Sequence, residues 1–428
     1  MVDAKRGIVL GATAVVLSSV AVTGVGVHFS QSQAFFRESP KEVVDEVWQI
    51  IDRQYLDATF NQKDWRVTRN EYLNREYSNK EEAYEAIREM LDTLGDPYTR
   101  FMEPDAFRNM QIDTSGELIG VGIQISQDEE TKEIVVVAPI EDTPAFDAGI
   151  IAKDVILQID GQSTEGMDVN DAVQLIRGQE GSNVTLTMRR GEQIRDYTIT
   201  RAKVEIHPVR ARVEQSPTGD VGYIRLTQFS ANAGQEMREA IEDLERQNVV
   251  GYVLDLRSNP GGLLYSSIEI ARMWIDEGAI VSTVNRTGEV DLQQANSRAL
   301  SDKPLVVLVD GGSASASEIL SGALQDNDRA VLVGTKTFGK GLVQSVRGLG
   351  DGSGLAVTIA KYLTPNGRDI NKMGIEPDIE FELTEEQQET LQSDRTLIGN
   401  AGDPQFAKAM EILMQKVQTE RPGSFSAK

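Results

Sequence analysis

Pro304 and Asp310 bracket an unbroken apolar run, Leu305-Val306-Val307-Leu308-Val309. A strand without polar alternation has to be covered on both faces, so this segment calls for a mostly parallel sheet with helices packed around it. Flanking segments agree. After about residue 203, strand-like runs (VGYIRLTQF, GYVLDLRSN, PLVVLVDG, AVLVGTKT) alternate with helix-like ones: Gln235–Gln247, Tyr265–Trp274 and Ser315–Leu324. That alternation is the pattern of an α/β core.

Two other regions precede this core. From Pro40 to about Met110 the period is helical, with Val44, Val47, Trp48 and Ile51 on one stripe and Tyr84, Ile87 and Leu91 on a second. These stripes read as packing surfaces. Between about 113 and 202 short strands and helices alternate as β-β-α-β-α-β-β, with a hairpin turning near Arg190-Gly191. The last segments, TEEQQETLQSD and FAKAMEILMQKVQ, read as one or two surface helices and a frayed tail. The chain therefore divides, as an expectation, into 1–34, 35–112, 113–202, 203–385 and 386–428. Its 428 residues are enough for two to four domains.

Lys5 and Arg6 precede an uncharged stretch, residues 7–27, and Ser32-Gln33-Ala34 follows. A basic start, an apolar middle and a small-x-small site form an export signal. The stretch is also long enough to span a bilayer, so residues 1–34 read either as a cleaved signal or as a membrane anchor. Either way the body of the protein is expected outside the cytoplasm.

Composition removes much chemistry. The chain has 43 Lys+Arg against 67 Asp+Glu, a net charge of −24, which repels phosphate backbones and argues against nucleic acid as a partner. Without cysteine there are no thiol nucleophiles, disulfides or thiolate metal sites. Two histidines, His28 and His207, cannot build a multi-histidine zinc centre, and neither a metal nor a cofactor is called for. His28 ends the N-terminal apolar segment and His207 reads as structural, so a serine nucleophile would need a different base.

Gly311-Gly312-Ser313-Ala314-Ser315-Ala316-Ser317-Glu318 follows the buried run. Small residues at a strand-to-helix junction either cap the helix or present a serine among backbone amides, where a helix N-terminus favours developing negative charge. The sequence is not GxSxG, and no SxxK occurs. A lysine can act as base when burial leaves its amine neutral. Lys340, in the glycine-flanked turn TFGKGLVQ after AVLVG, is the better candidate. Gly334 to Lys340 also fits the first seven positions of a P-loop, but Gly341 follows where a Mg²⁺-binding hydroxyl belongs. Asp255-Leu256-Arg257-Ser258-Asn259-Pro260-Gly261-Gly262 is either an ordinary turn or half of an oxyanion hole, the other half being the Ala316 amide. Gly120-Val121-Gly122-Ile123 is either a plain loop or one that aims amides at a peptide carboxylate.

In this order the pieces resemble the C-terminal processing (tail-specific) serine proteases, which use a Ser–Lys dyad and carry a PDZ domain. The resemblance covers nearly the whole chain after residue 40. DLRSNPGG, GGSASASE and TFGKGLVQ carry it, with Lys340 and Gln344 standing 25 and 29 positions after Ser315. It implies a multidomain α/β protein: a helical N-terminal region, a β-sandwich-like PDZ module and a Clp/crotonase-like catalytic core. It also implies Ser315 as nucleophile, Lys340 as general base and Gln344 as the residue orienting that base. Gly261 and Ala316 would supply the oxyanion amides, and Gly120, Val121, Gly122 and Ile123 the substrate-tail loop. Partners would be proteins with accessible C-terminal tails. WQIIDRQYLDATFNQKDW is similar to the photosynthetic members, which process a photosystem reaction-centre precursor in the thylakoid lumen or periplasm.

Arg177, in AVQLIRGQEG, reads either as a solvated charge or as a link reporting tail occupancy to the catalytic domain, through Gln344 or a nearby carboxylate. Two other function classes share these features. A catalytically silent PDZ scaffold would not need Ser315, Lys340 and Gln344 together. A crotonase-like acyl-CoA enzyme would not need the Ser–Lys pair or an export signal.

Overall fold

The computed structural model describes residues 39–420 apart from 129–130 and 141–142. The segment read as an export signal or anchor, residues 1–34, lies outside the described residues, His28 with it. Among those described, no helix is long and apolar enough to cross a membrane.

Three helices open the chain: α1 (Pro40–Gln54), α2 (Trp65–Leu73) and α3 (Lys80–Asp92). Pro40 starts α1, where its missing N–H costs nothing, and the Asp64 and Asn79 side chains cap α2 and α3. The predicted stripes are the buried faces: Val44, Val47 and Ile51 meet Ile87 and Leu91 in one core. That core also contains Leu355 and Val357 of a distant strand, so the helical region is fastened to the C-terminal half of the chain. The strand β1 (Arg100–Met102) and helix α4 (Pro104–Ser115) follow.

The next module runs β2 (Glu117–Gly120), β3 (Ile123–Gln127), β4 (Ile134–Pro139), α5 (Pro144–Asp147), β5 (Val155–Ile159), β6 (Gln162–Ser163), α6 (Val169–Ile176), β7 (Asn183–Arg190) and β8 (Gln193–Thr200). Its sheet has the order β3-β4-β5-β7-β8, and β7 and β8 form the expected hairpin. Strand β3 is thus an edge of the sheet, while β2 pairs with β9 (Ala202–Glu205) instead. Ile134, Ile156, Val184 and Leu186 make a separate core beneath α6.

A mostly parallel sheet, with β10 antiparallel at one edge, then begins along β10 (Val209–Glu214), β11 (Val221–Leu226), α7 (Ala233–Arg246), β12 (Tyr252–Asp255) and α8 (Leu264–Trp274). Next come β13 (Ala279–Asn285) and β14 (Val290–Gln294), then β15 (Leu305–Val309), α9 (Ala316–Asp326) and β16 (Val331–Gly334). Strands β17 (Leu342–Gly348), β18 (Gly354–Leu363) and β19 (Ile379–Glu380) and helices α10 (Glu385–Ser393) and α11 (Pro404–Glu420) finish the chain. The sheet order is β10-β11-β12-β15-β16-β19, and β15, the all-apolar run, lies in its interior with every residue buried.

Two features were not anticipated. Strands β13, β14, β17 and β18 build a second sheet with β1. And α11 is no surface tail: Phe406, Ala409, Leu413 and Val417 pack on Val221, Tyr223, Val253 and Val306, sealing the face of the parallel sheet opposite α7, α8 and α9.

Candidate active site

Three turns leave the C-terminal ends of the adjacent parallel strands β12, β15 and β16, the edge at which open α/β sheets build ligand sites. They carry DLRSNPGG, GGSASASE and TFGKGLVQ.

Buried polar groups stitch the first two turns together. Ser313 Oγ donates to the Leu256 carbonyl at 2.9 Å and Ser317 Oγ to the Asn259 carbonyl at 2.9 Å. Asp310 Oδ1 accepts the amides of Ser258 at 2.8 Å and Gly312 at 2.9 Å. Ser313 and Ser317 are fully buried, whereas Ser315 between them is half-buried. The two outer serines are structural, and the middle one keeps partial access to solvent. Ser315 stands at the head of α9 with φ of 54° and ψ of −111°, a left-handed backbone that a non-glycine residue holds only under constraint.

Glu318 supplies that constraint. Its carboxylate is fully buried and accepts four hydrogen bonds: Thr337 Oγ1 at 2.6 Å and Gly339 N at 2.7 Å on one oxygen, Ser315 N and Lys340 N, each at 2.9 Å, on the other. A second clamp comes from β18. The Tyr362 hydroxyl lies 2.6 Å from the Lys340 carbonyl and 3.2 Å from that of Ser315. The serine and lysine turns are therefore joined on both sides through their main chains.

Among the described residues, no hydrogen bond links Ser315 Oγ to Lys340 Nζ. The amine lies instead 5.0 Å from the centre of the Tyr98 ring. Burial pushes the Lys340 amine below its ordinary value and Arg100 adds to that effect, against the pull of Glu318 and Asp96. Among the described residues, the buried side-chain nitrogen of Gln344, on β17, meets no partner, and neither does the buried hydroxyl of Thr358 opposite it.

Gly261 has φ of +101°, and a Cβ there would sit 2.9 Å from Ala316 N and 3.0 Å from Ser315 Cβ, so only glycine lets this turn approach the serine so closely. Its own N–H is held by Asn259 Oδ1 at 2.9 Å. The Ala316 amide, at the first position of α9, lies among the amides that a helix leaves without an internal partner. In the small sheet module, Ala145 N–H donates to the Val121 carbonyl and Ile140 N–H to the Gly122 carbonyl, each at 2.8 Å, fixing the GVGI loop beside the open edge of β3. Arg177 follows α6, and its Nη1 donates to Asn109 Oδ1 of α4 at 2.7 Å. A cavity of about 600 Å³ runs from Gln174 on α6 to Arg100 on β1. His207 stands apart, its Nδ1 2.8 Å from Glu236, and is largely exposed.

Comparison with known proteins decides the lineage. A carboxyl-terminal-processing protease of Picosynechococcus sp. is 44% identical over 93% of this chain and 95% of its own length. The chain belongs to the carboxyl-terminal-processing proteases of peptidase family S41. The Peptidase family S41 profile matches residues 220–381 and a PDZ domain profile residues 135–190. A Synechocystis sp. carboxyl-terminal-processing protease is 49% identical over 77% of this chain and 78% of its own. The solved photosystem II D1 C-terminal processing protease shares 38% identity and a TM-score of 0.57, over 86% of this chain and 99% of that one. The protein is accordingly a C-terminal processing serine protease with a PDZ domain, acting on protein substrates. Scaffold and acyl-CoA readings fall away.

Sequence reasoning overlooked Glu318, Tyr362, Tyr98 and Arg100 as parts of this site. Glu318 carried a visible signal, since Ser-x-x-Glu from Ser315 is the spacing at which a carboxylate reaches back to a helix's first amide. Tyr98, Arg100 and Tyr362 come from segments far from the motifs and carried none.

Proposed function

We propose that Ser315 is the nucleophile and Lys340 the general base of this protease. A neutral Lys340 amine takes the proton of Ser315 Oγ as that oxygen attacks the scissile carbonyl, and returns it to the leaving amine. Water, deprotonated by the same amine, then hydrolyses the acyl-enzyme. What supports the reading is the Glu318 carboxylate, which binds the main chains of both residues at one oxygen. Gln344, one strand beyond the lysine turn, would orient the amine. The amides of Gly261 and Ala316 would hold the oxyanion, the former after exchanging Asn259 Oδ1 for it. Losing one such donor typically costs ~10²–10³ in rate.

Tail recognition would fall to Gly120, Val121, Gly122 and Ile123. Their loop opens the free edge strand β3, to which a peptide can add as a further strand while the amides face its carboxylate. The division into 1–34, 35–112, 113–202, 203–385 and 386–428 follows the same reading. Because the solved relative is named for photosystem II D1, we extend that substrate to this chain, with export to the periplasm or thylakoid lumen and residues 7–27 as signal or anchor.

Peptides ending in a free carboxylate, compared with carboxyl-amidated copies, test this function. Amidation should cut kcat/KM at least about tenfold, the loss of one charge-assisted contact. Equal cleavage of both forms would remove tail capture from the account.

A further inference from the structure

Behind the catalytic turns, on the α11 side of the parallel sheet, lies a cavity of about 610 Å³, within the range that holds a peptide fragment or a small organic molecule. Ser258, Asp310 and Thr335 line it. They follow β12, β15 and β16 almost immediately, so the cavity abuts the roots of the turns that carry Gly261, Ser315 and Lys340. Two arginines face it, and they differ sharply. Arg257 is saturated: its nitrogens donate to Asp255, Asp403 and Gln405. Arg225, beside Asp255 in the sheet register, helps to lower that carboxyl by its charge but is half-buried, makes no hydrogen bond or close ion pair among the described residues, and keeps a fully enclosed Nε without a partner.

An N–H withdrawn from water and left unused is costly, and an anion at the guanidinium would complete it. We propose that this cavity is a binding site for a monocarboxylate with an apolar body, held by the Arg225 fork. Leu383, Leu391 and Ile398 form the apolar wall. Asp310 and Glu382 also line the cavity and would repel a doubly charged phosphate more than a single carboxylate. Asp310 is already committed to Ser258 and Gly312. The carboxylate belongs either to the C-terminal residue of a short peptide or to a small free organic acid. The site is separate from the Ser315 cleft and from the PDZ loop, and stands whether or not the dyad assignment holds.

The test is calorimetric titration of the full chain carrying Ser315→Ala, so that nothing is cleaved. N-acetyl-leucine and N-acetyl-Ala-Ala-Leu are the probes, with N-acetyl-leucinamide and inorganic phosphate as controls. At least one carboxylate probe should bind, and Arg225→Gln should weaken it about tenfold or more. Leu383→Trp, which fills the cavity and leaves Arg225 in place, should weaken it as well. Tighter binding of the tripeptide assigns a peptide, and equal affinity assigns a small acid. Binding that survives both substitutions belongs to the PDZ loop and overturns the proposal. So does leucinamide or phosphate binding as tightly as the carboxylate, or no binding at all.

Discussion

Glu318 Oε2 accepts the main-chain N–H of Lys340 at 2.9 Å, although 22 residues separate them and the carboxylate belongs to the helix that begins after Ser315. The same oxygen takes the Ser315 amide, so one buried carboxylate fixes the approach of two turns. An isosteric Glu318→Gln side chain keeps one acceptor oxygen but turns an NH₂ toward backbone N–H donors. Leaving a buried donor unsatisfied costs about 1–3 kcal/mol. The variant should melt lower and, with the turns no longer in register, lose about a hundredfold in kcat. Circular dichroism melts and peptide turnover check it, and wild-type kcat would show that this carboxylate does not position the site.

Lys340 should set the pH dependence. Burial and Arg100 hold its amine below the ordinary lysine value, and only the neutral form accepts a proton. Activity should therefore rise with pH through that depressed pKa, earlier than an exposed lysine would allow. Lys340→Ala should abolish turnover with the fold intact. Lys340→Arg should be equally inactive, because a guanidinium stays protonated. A pH–rate profile of kcat/KM with and without these changes checks both statements, and near-normal activity of either variant excludes the lysine as base.

The buried set of Asp255, Arg257 and Asp403 ties the start of α11 to the end of β12. Burial raises the Asp255 carboxyl, but Arg257, helped by Arg225 and the Tyr223 hydroxyl, more than offsets it and leaves the group below the ordinary aspartate value. A depressed folded-state pKa stabilises above the unfolded value, about 3.9, and that contribution disappears as pH falls through the folded value. Asp403→Asn, which leaves Arg257 partly unpaired, should lose about 3–5 kcal/mol in urea unfolding at pH 7. A loss under 1 kcal/mol would mean that Asp255 alone suffices.

Arg177 joins the end of the PDZ helix to α4 through Asn109, one element removed from β1 and Arg100. If this contact carries tail occupancy to the site, Arg177→Ala should lower kcat about fivefold or more while leaving the affinity for a tail peptide unchanged. Parallel binding and turnover measurements separate the alternatives. Unchanged kinetics leave Arg177 a structural tie between α6 and α4 that carries no signal.

Local pattern made the motif-bearing turns legible, because each follows a strand or precedes a helix whose period is strong: LVVLV before GGSASASE, AVLVG before TFGKGLVQ. The second sheet was not legible. Its pairings, such as Val284 with Lys361 and Arg100 with Ala356, join segments that no local period relates. In α11 the stripe of Phe406, Ala409, Leu413 and Val417 is visible, but its partner is the back of a sheet known only in three dimensions. Lys340 stands out in the sequence by its setting, whereas its neighbours Tyr98 and Arg100 arrive from the helical region by way of β1 pairing with β18.

The covalent step offers the most direct test. The full chain, acid-quenched during turnover of a tail-bearing peptide, should carry in intact-mass spectrometry an added mass equal to the N-terminal part of the substrate. Proteolytic mapping should place it on Ser315, and Ser315→Ala should show neither the adduct nor cleavage. An adduct on another residue, or cleavage that persists in Ser315→Ala, would contradict the account.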